Sequence, residues 1–576
     1  MRTVLGYFRN YRLQSILSPI FKLSEATFEL IVPLVIASII DKGISSGDTT
    51  FIFKRVLLLG AFALVGFASA ICAQYFAAAA AAGISSDIRG DLFRKINRIS
   101  VTDFEKIGRS NIVTGLTSDV NQIQSGINLF LRLLLRSPFI VIGAVVMAFT
   151  IDFKLTLIFV VAVALLGTVV TLNMRKAIPS YKKTRSGLDS LVSLTDNGLS
   201  GVKVIRGFNR SEDDYKQFEE ESSRLNILQN KAAAISSYLN PMTFLIINLA
   251  ICLLIYRGAI KVDTNLLTQG QVVALYNYMS QILVELIKLA NLIVTVSRAV
   301  ACASRVESML AIVDESEENA NRIAEPHKAH SIEFDDVTFT FSGNSEETLG
   351  HLSFRIEAGQ TIGIIGKTGS GKSTVAQLAA GLYPVDSGTI LIDGVPMDTI
   401  NRTDLSKAVG LCLQKAKIFS GSIKYNIDLD RKDVSPEDIH QAAKDSCADD
   451  VISAKKHGIM HKLSPNGAGL SGGQKQRIGI ARVLAGRPGV IILDDSTSAL
   501  DAATERRLLD NLAKLEGNPT KIIISQKIRS VMNSDKILLL DEGKIEGFGS
   551  HEELLKSCPS YVELNKLQNQ EVANEK

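Results

Sequence analysis

Six stretches in the first 300 residues are each long and apolar enough to cross a bilayer, and this leaves the chain little choice of fold. A spanning helix needs roughly 20 mostly apolar residues, because hydrocarbon offers an open backbone no hydrogen-bond partner. The candidates run over about 14–41, 56–82, 129–150, 154–174, 239–257 and 270–297. Asp152 and Lys154 separate the third from the fourth, where a tight loop is expected. The opening MRTVLGYFRNYR lacks a short apolar core with a small-residue cleavage site. It reads as a short cytoplasmic leader rather than a signal peptide.

The segments between the spans are unequal. Those at 84–128 and 175–238 are long, polar and helix-like. They carry Arg89, Arg94, Lys95, Arg98, Lys106 and Arg109, then Arg175, Lys176, Lys182, Lys183, Arg185, Lys203, Arg206 and Arg210. The loops near 42–55, 151–154 and 258–269 are short and hold few basic residues. The positive-inside rule places the long segments in the cytoplasm. Six spans with a cytoplasmic N-terminus leave the second half of the chain there too, so a multi-pass membrane protein with a cytoplasmic second half is expected.

Several charges fall inside the spans. Lys22, Glu25 and Glu29 share one helix face, Arg132 and Arg136 are four apart, and Glu285 and Lys288 are three apart. Such groups face a bundle interior or a wet cavity. They either pair helix to helix or line a substrate cavity. In the cavity reading Glu25 and Glu29 hint at cationic ligands. The polar stretch Tyr276, Asn277, Tyr278 and Gln281 is a second hint, and it suits helix packing equally well. The Ala77–Ala82 run with Gly83 reads as a close-packed face.

Composition narrows the rest. Lys and Arg number 63 against 59 Asp and Glu, which excludes a strongly basic nucleic-acid binder. Six cysteines without CxxC spacing and seven histidines without HxxxH or HExxH clusters suggest neither a zinc site nor a disulfide framework. Residues 1–310 read as the membrane domain, 311–330 as an acidic and polar linker, 331–560 as a soluble domain and 561–576 as a polar tail. The soluble part opens with short strand patterns at 332–341, 350–356 and 361–365 and then alternates strand with helix, so an α/β domain is expected.

The run Gly366-Lys-Thr368-Gly369-Ser370-Gly371-Lys372-Ser373-Thr374 fits G-x-x-x-x-G-K-[ST], between a buried-strand pattern and a helical one. Glycines there let successive N–H groups cradle phosphates at a helix N-terminus. Lys372 would reach the β- and γ-phosphates and Ser373 would coordinate Mg²⁺. Downstream, Val490–Leu493 reads as an apolar strand ending in Asp494, the usual second carboxylate for Mg²⁺.

Between the two lies Leu470-Ser471-Gly472-Gly473-Gln474, which begins 24 residues before Asp494. Here the chain resembles the ATP-binding cassette (ABC) transporters, and the resemblance covers its whole length. It implies an α-helical six-span membrane domain fused to an α/β P-loop cassette, one half of a type IV exporter. It makes Gln414 the Q-loop glutamine, which contacts Mg²⁺ and the membrane domain, and places Asp501 in the D-loop. It puts Phe341 where an aromatic ring stacks on adenine, and 103–118 and 207–218 at the two coupling helices. ATP, Mg²⁺, a second half-transporter and a small or amphiphilic substrate follow from it.

Two positions depart from the family pattern. The catalytic glutamate that follows Asp494 in the family is Asp495 here, and the switch histidine, 31 residues further on, is Gln526. A third departure, Ser464-Pro465-Asn466-Gly467, replaces a glutamate-containing stretch ahead of the signature. Because two cassettes pair head to tail, this chain's phosphate loop, Asp494, Asp495 and Gln526 belong to one weakened site. Its Ser471, Gly472, Gly473 and Gln474 complete the partner's. The expectation is the degenerate half of a heterodimeric multidrug exporter, an ATPase weak or inactive without its partner. The alternatives are a homodimer with slow hydrolysis and an ATP-gated channel or regulator.

Overall fold

The computed structural model describes residues 2–314, 321–341, 344 and 346–574; residues 315–320 of the expected linker and 575–576 of the expected tail lie outside the described residues. The chain divides into two compact units. One comprises Met1–Asn97 and Ser110–Ala311, the other Arg98–Arg109 and Ile312–Lys576.

Among the described residues, the first unit holds six helices fit to span a membrane: Phe8–Ile44, Thr49–Ile96, Arg109–Ile151, Phe153–Ser200, Ser211–Asp263 and Gln269–Leu310. They run well past the apolar stretches. The second and fourth have 48 residues each, about 72 Å at 1.5 Å per residue, against a hydrocarbon core of about 30 Å. Hydropathy marks where lipid ends. The helices continue past the apolar stretches into the polar segments and stop at turns such as residues 97–100 and Gly108. In the regions expected to hold the coupling helices, 103–118 and 207–218, short helices run over Val101–Ile107 and Val202–Gly207, and the next helices begin at Arg109 and Ser211. Val101–Ile107 starts at a Ser100 cap that accepts from Asp103 N–H, and it stops at Gly108 with φ +79°. It groups with the second unit, where Tyr383 Oη donates to Glu105 at 2.8 Å. Burial, then the Glu105 carboxylate, push the Tyr383 hydroxyl up to about 12.

Small residues pack the first two spans together. Ala73, Ala77, Ala80 and Ala81 are buried, and the Tyr11 ring lies where a Cβ on Gly83 would sit. The alanine run is the close-packed face that was expected. At the outer ends Asp152 caps the fourth span and pairs with Lys261. Asp41 of the first span accepts from Gly270 N–H at 2.7 Å and from Thr268 Oγ1 at 2.5 Å, at the start of the sixth.

Among its described residues the cassette unit has twelve strands: β1 Ile332–Phe339, β2 Leu349–Ile356, β3 Thr361–Gly366, β4 Ser387–Ile392, β5 Val395–Pro396, β6 Val409–Cys412, β7 Gly421–Ser422, β8 Lys462–Leu463, β9 Val490–Asp494, β10 Thr520–Ile524, β11 Lys536–Asp541 and β12 Lys544–Gly549. They form an antiparallel sheet β2-β1-β4-β5, a β7-β8 pair and a larger sheet β12-β11-β3-β10-β9-β6. In the larger sheet every pairing except β11 with β12 is parallel. Every residue of β9 and β10 is buried, as strands covered on both faces require. One core cluster includes the stacked Phe334 and Phe354, with Ile364, Val375 and Ile492. A second lies beneath the helix Gly472–Leu484 and includes Ile427, Ile439 and Ile478.

The expected polar tail is largely a helix, Pro559–Asn574. Tyr561 is fully buried among Ile523, Val531 and Leu554, and its hydroxyl lies 2.7 Å from His551 Nδ1. The architecture is the expected one, six membrane helices followed by an α/β P-loop cassette.

Candidate nucleotide site

The larger sheet gathers the site. β3, β10, β9 and β6 are consecutive and parallel, so their carboxyl ends open on one edge. In register, Ile364 pairs with Ile524, Ile524 with Asp494, and Leu493 with Cys412. Gly366, Gln526, Asp495 and Gln414 each follow one or two residues beyond those rows. Residues up to 160 apart in sequence, Gly366 and Gln526, thereby leave the sheet at a common level.

The phosphate loop runs from β3 into the helix Lys372–Ala379. Gly371 has φ +94°, and a Cβ there would sit 2.4 Å from Leu349 Cδ2. Lys372 is buried, and its ammonium donates to the carbonyls of Gly366 at 2.7 Å and Lys367 at 2.5 Å. Burial holds its pKa below the usual lysine value despite Asp495 and Asp494 nearby. Ser370 and Thr374 are buried, while Thr368 and Gly369 lie at the exposed loop tip. Phe341 sets its ring edge-on to Phe339 and Tyr383, with centroids 4.8 and 5.5 Å apart.

Across the loop, Ser373 Oγ donates to Asp494 Oδ1 at 2.9 Å. Burial and the neighbouring Asp495 raise the Asp494 pKa, against that hydrogen bond. Asp495 sits in left-handed backbone, φ +46°, which aspartate tolerates better than most residues. Its Oδ2 accepts from Gln414 Nε2 at 3.1 Å. A desolvated ammonium beside the desolvated Asp494 carboxylate suits a ligand that is itself a cation–anion pair, as a magnesium–nucleotide complex is. Among the described residues no cluster of three or more His, Cys, Asp or Glu is placed to hold a metal ion. Magnesium asks for less: one or two carboxylates plus phosphates. Ser373, Gln414 and Asp494 fit that donor set.

The signature forms the start of the helix Gly472–Leu484. Ser471 and Gln474 close a reciprocal cap, with Ser471 N–H donating to Gln474 Oε1 at 3.0 Å and Gln474 N–H donating back to Ser471 Oγ at 3.3 Å. A Cβ on Gly473 would meet the Ala499 carbonyl at 2.7 Å, so this position must stay bare for the two loops to touch. Gly472 makes only ordinary contact with Ala499. Asp501 caps the helix Ala502–Ala513 through Thr504 N–H at 3.0 Å, and that bond lowers its pKa. The exposed Gln526 heads the loop after β10.

Three residues that hold this arrangement escape motif reading. Gln476 is buried, donates to the Gln414 carbonyl at 3.4 Å and accepts from Ala499 N–H at 3.1 Å. Buried Glu505 accepts from Thr497 and Ser530, both at 2.8 Å, joining the loop after Asp495 to the segment after Gln526. Gln568, in the last helix, donates to the Gln526 carbonyl and accepts from Ile528 N–H, both at 2.8 Å. The only hint in sequence was that all three are polar residues on helical patterns.

Known proteins share these features. The family model described as "ABC transporter transmembrane region" matches residues 15–286, and "ABC transporter" matches residues 349–498. The chain is 33% identical over 568 residues to the "Uncharacterized ABC transporter ATP-binding protein YfiB" of Bacillus subtilis (strain 168), covering 99% of this chain and 98% of that one. It is 29% identical over 560 residues to the "ATP-dependent lipid A-core flippase" of Blochmanniella pennsylvanica (strain BPEN), covering 97% and 95%. Among solved structures, "Structure of a bacterial Atm1-family ABC exporter with ATP bound" matches with a TM-score of 0.82 and 22% identity, over 97% of this chain and 98% of that one. With both regions on one polypeptide, the chain belongs to the ABC transporters, as a multi-pass half-transporter with a cytoplasmic ATP-binding cassette and an exporter-type fold.

Proposed function

We propose that this chain is the degenerate-site half of a heterodimeric exporter of amphiphilic molecules. One observation carries the reading. A full nucleotide-binding set (Lys372, Ser373, Asp494 and Gln414) stands beside two altered chemical positions, Asp495 and Gln526.

In this reading ATP lies between the phosphate loop of this chain and the signature of its partner. Phe341 offers its ring to adenine. The N–H groups of Thr368, Gly369, Ser370, Gly371 and Thr374 face the phosphates, and Lys372 exchanges two loop carbonyls for phosphate oxygens. Ser373, Gln414 and Asp494 would hold Mg²⁺, which would supply charge neutralisation at the phosphates. Asp495 stands where a base would orient water, but its carboxylate is set back by about 1.5 Å, one C–C bond. Misplacement near 1 Å can cost on the order of 10²-fold in rate. Gln414 also ties one of its oxygens. Gln526 can donate a hydrogen bond but cannot carry a proton or positive charge. ATP is therefore retained more than it is hydrolysed, and its binding biases the membrane domain between states. Ser471, Gly472, Gly473 and Gln474 complete the partner's site, with Asp501 beside them. The resemblance to a lipid A-core flippase supports an amphiphilic substrate, and multidrug efflux falls within that class.

ATPase activity in lipid, for this chain alone and with its co-expressed partner, tests the reading. Activity is expected only with the partner. Asp495→Glu with Gln526→His is expected to raise turnover at this chain's own site at least tenfold. Full activity alone, lost on Asp495→Asn, would instead establish a homodimer with a working aspartate. Stimulated ATPase without uphill transport would point to a gated channel.

A further inference from the structure

We propose that the first, third and sixth spans build a bipolar headgroup site, and that its ligand is an amphiphile whose head carries both a cation and an anion. The inference rests on the reading of this chain as an amphiphile exporter and names the substrate class.

The site is built around Arg136. Its guanidinium donates to Glu285 Oε1 at 2.6 Å and to both oxygens of Glu29 at 2.9 and 2.8 Å. Glu25 lies 3.9 Å away and pairs with Lys22. Glu285 also accepts from Lys288 at 2.9 Å and from Ser137 at 2.8 Å. Lys22, Arg136 and Lys288 balance Glu25, Glu29 and Glu285. The cluster has no net charge, so it suits a head that carries both signs, with Glu29 facing the cationic part, better than a simple cation.

Glu29, Arg136 and Glu285 lie at one depth. Glu29 is 15 residues before Ile44, Arg136 is 15 before Ile151, and Glu285 is 16 after Gln269. Each is thus about 23 Å from the outer end of its helix, in the cytoplasmic half of a core about 30 Å thick. Lys288 lies one turn nearer the cytoplasm.

Burial divides the cluster. The side chains of Arg136 and Glu285 are 6% and 4% exposed, whereas those of Glu29 and Lys288 are 42% and 40% exposed. Charged heads left open at this depth do not face hydrocarbon. They open on a wet cavity. One is an anion, the other a cation, and the buried Glu285–Arg136 pair holds them apart. Two buried atoms in the same cluster, Arg136 Nε and Gln281 Oε1, have no hydrogen-bond partner. Buried polar atoms are normally satisfied, so a donor and an acceptor here await ligand or water. A ligand that reaches this level from the cytoplasmic leaflet arrives with an apolar tail.

The test uses the chain with its partner in proteoliposomes and three fluorescent single-chain amphiphiles of equal tail length. Their heads are phosphocholine, trimethylammonium and phosphoglycerol. ATP-dependent transport is expected to favour phosphocholine. Lys288→Glu is expected to shift the preference about fivefold or more toward trimethylammonium, and Lys288→Gln, which introduces no repulsion, to remove discrimination against it. Loss of transport of all three by one common factor, or an unchanged preference in both variants, overturns the site. ATP-dependent transport without any head preference overturns the site alone. Absence of transport for every head overturns the exporter reading, and the site with it.

Discussion

At Asp494, burial and a neighbouring negative charge act in the same direction. A carboxyl whose folded-state pKa lies above its unfolded value costs stability while ionised. The cost is present at neutral pH and is relieved as pH falls through the raised value. Asp494→Asn is therefore expected to raise the nucleotide-free melting temperature at pH 7.5 by about 2–4 °C, with the gain shrinking toward acid pH. It is also expected to lose the extra stabilisation that Mg²⁺ adds to ATP. Scanning calorimetry with and without Mg²⁺ measures both, and a lower nucleotide-free melting temperature at pH 7.5 would contradict the electrostatic argument. Lys372 was placed by the glycine-loop motif, Asp494 by its position at the end of an apolar strand pattern, and Gln414 by the family resemblance. Gln476, Glu505 and Gln568 were not legible in the sequence. Their partners are backbone groups or hydroxyls delivered by folding, and no local pattern marks such a residue.

Among the elements, the last helix is the one composition misdescribed. Polar residues made 561–576 read as a tail, yet Tyr561 anchors a helix whose Gln568 holds both sides of the Gln526 loop. A primary amide presents a donor and an acceptor side by side, so it can bond the loop at two points at once. Gln568→Ala is expected to leave the fold intact and to weaken protection of the Ile528 amide by about 1 kcal/mol. Hydrogen exchange at 526–528 reports this, and unchanged protection there would show that the clamp carries no load. The membrane helices teach the complementary lesson. Their apolar centres were legible because lipid imposes them. Their true lengths were not, because a helix in water needs only an unbroken backbone ladder. The limits of the short helix Val101–Ile107 were not legible either: Ser100 and Gly108 set them, and hydropathy does not register caps.

Over the membrane unit as a whole, the first and sixth spans are joined at separated levels. Near the outer surface Asp41 binds Thr268 and Gly270. Deeper, Tyr278 Oη donates to the Leu30 carbonyl at 2.7 Å and Gln281 donates to the Glu29 carbonyl at 3.2 Å. Asp41→Ala removes the outer attachment only. Spin labels at Ser45 and Leu266, both exposed, are expected to show a broader and longer distance distribution in that variant. An unchanged distribution would mean that the deeper contacts suffice. Two rods pinned at one point can pivot like scissors. Pinned at two points well apart, they keep only rotation about the line through the pins. The first and sixth spans therefore form a single beam that can roll but not splay, and any widening toward the outside must be taken up by other pairs of spans or begin by releasing Asp41.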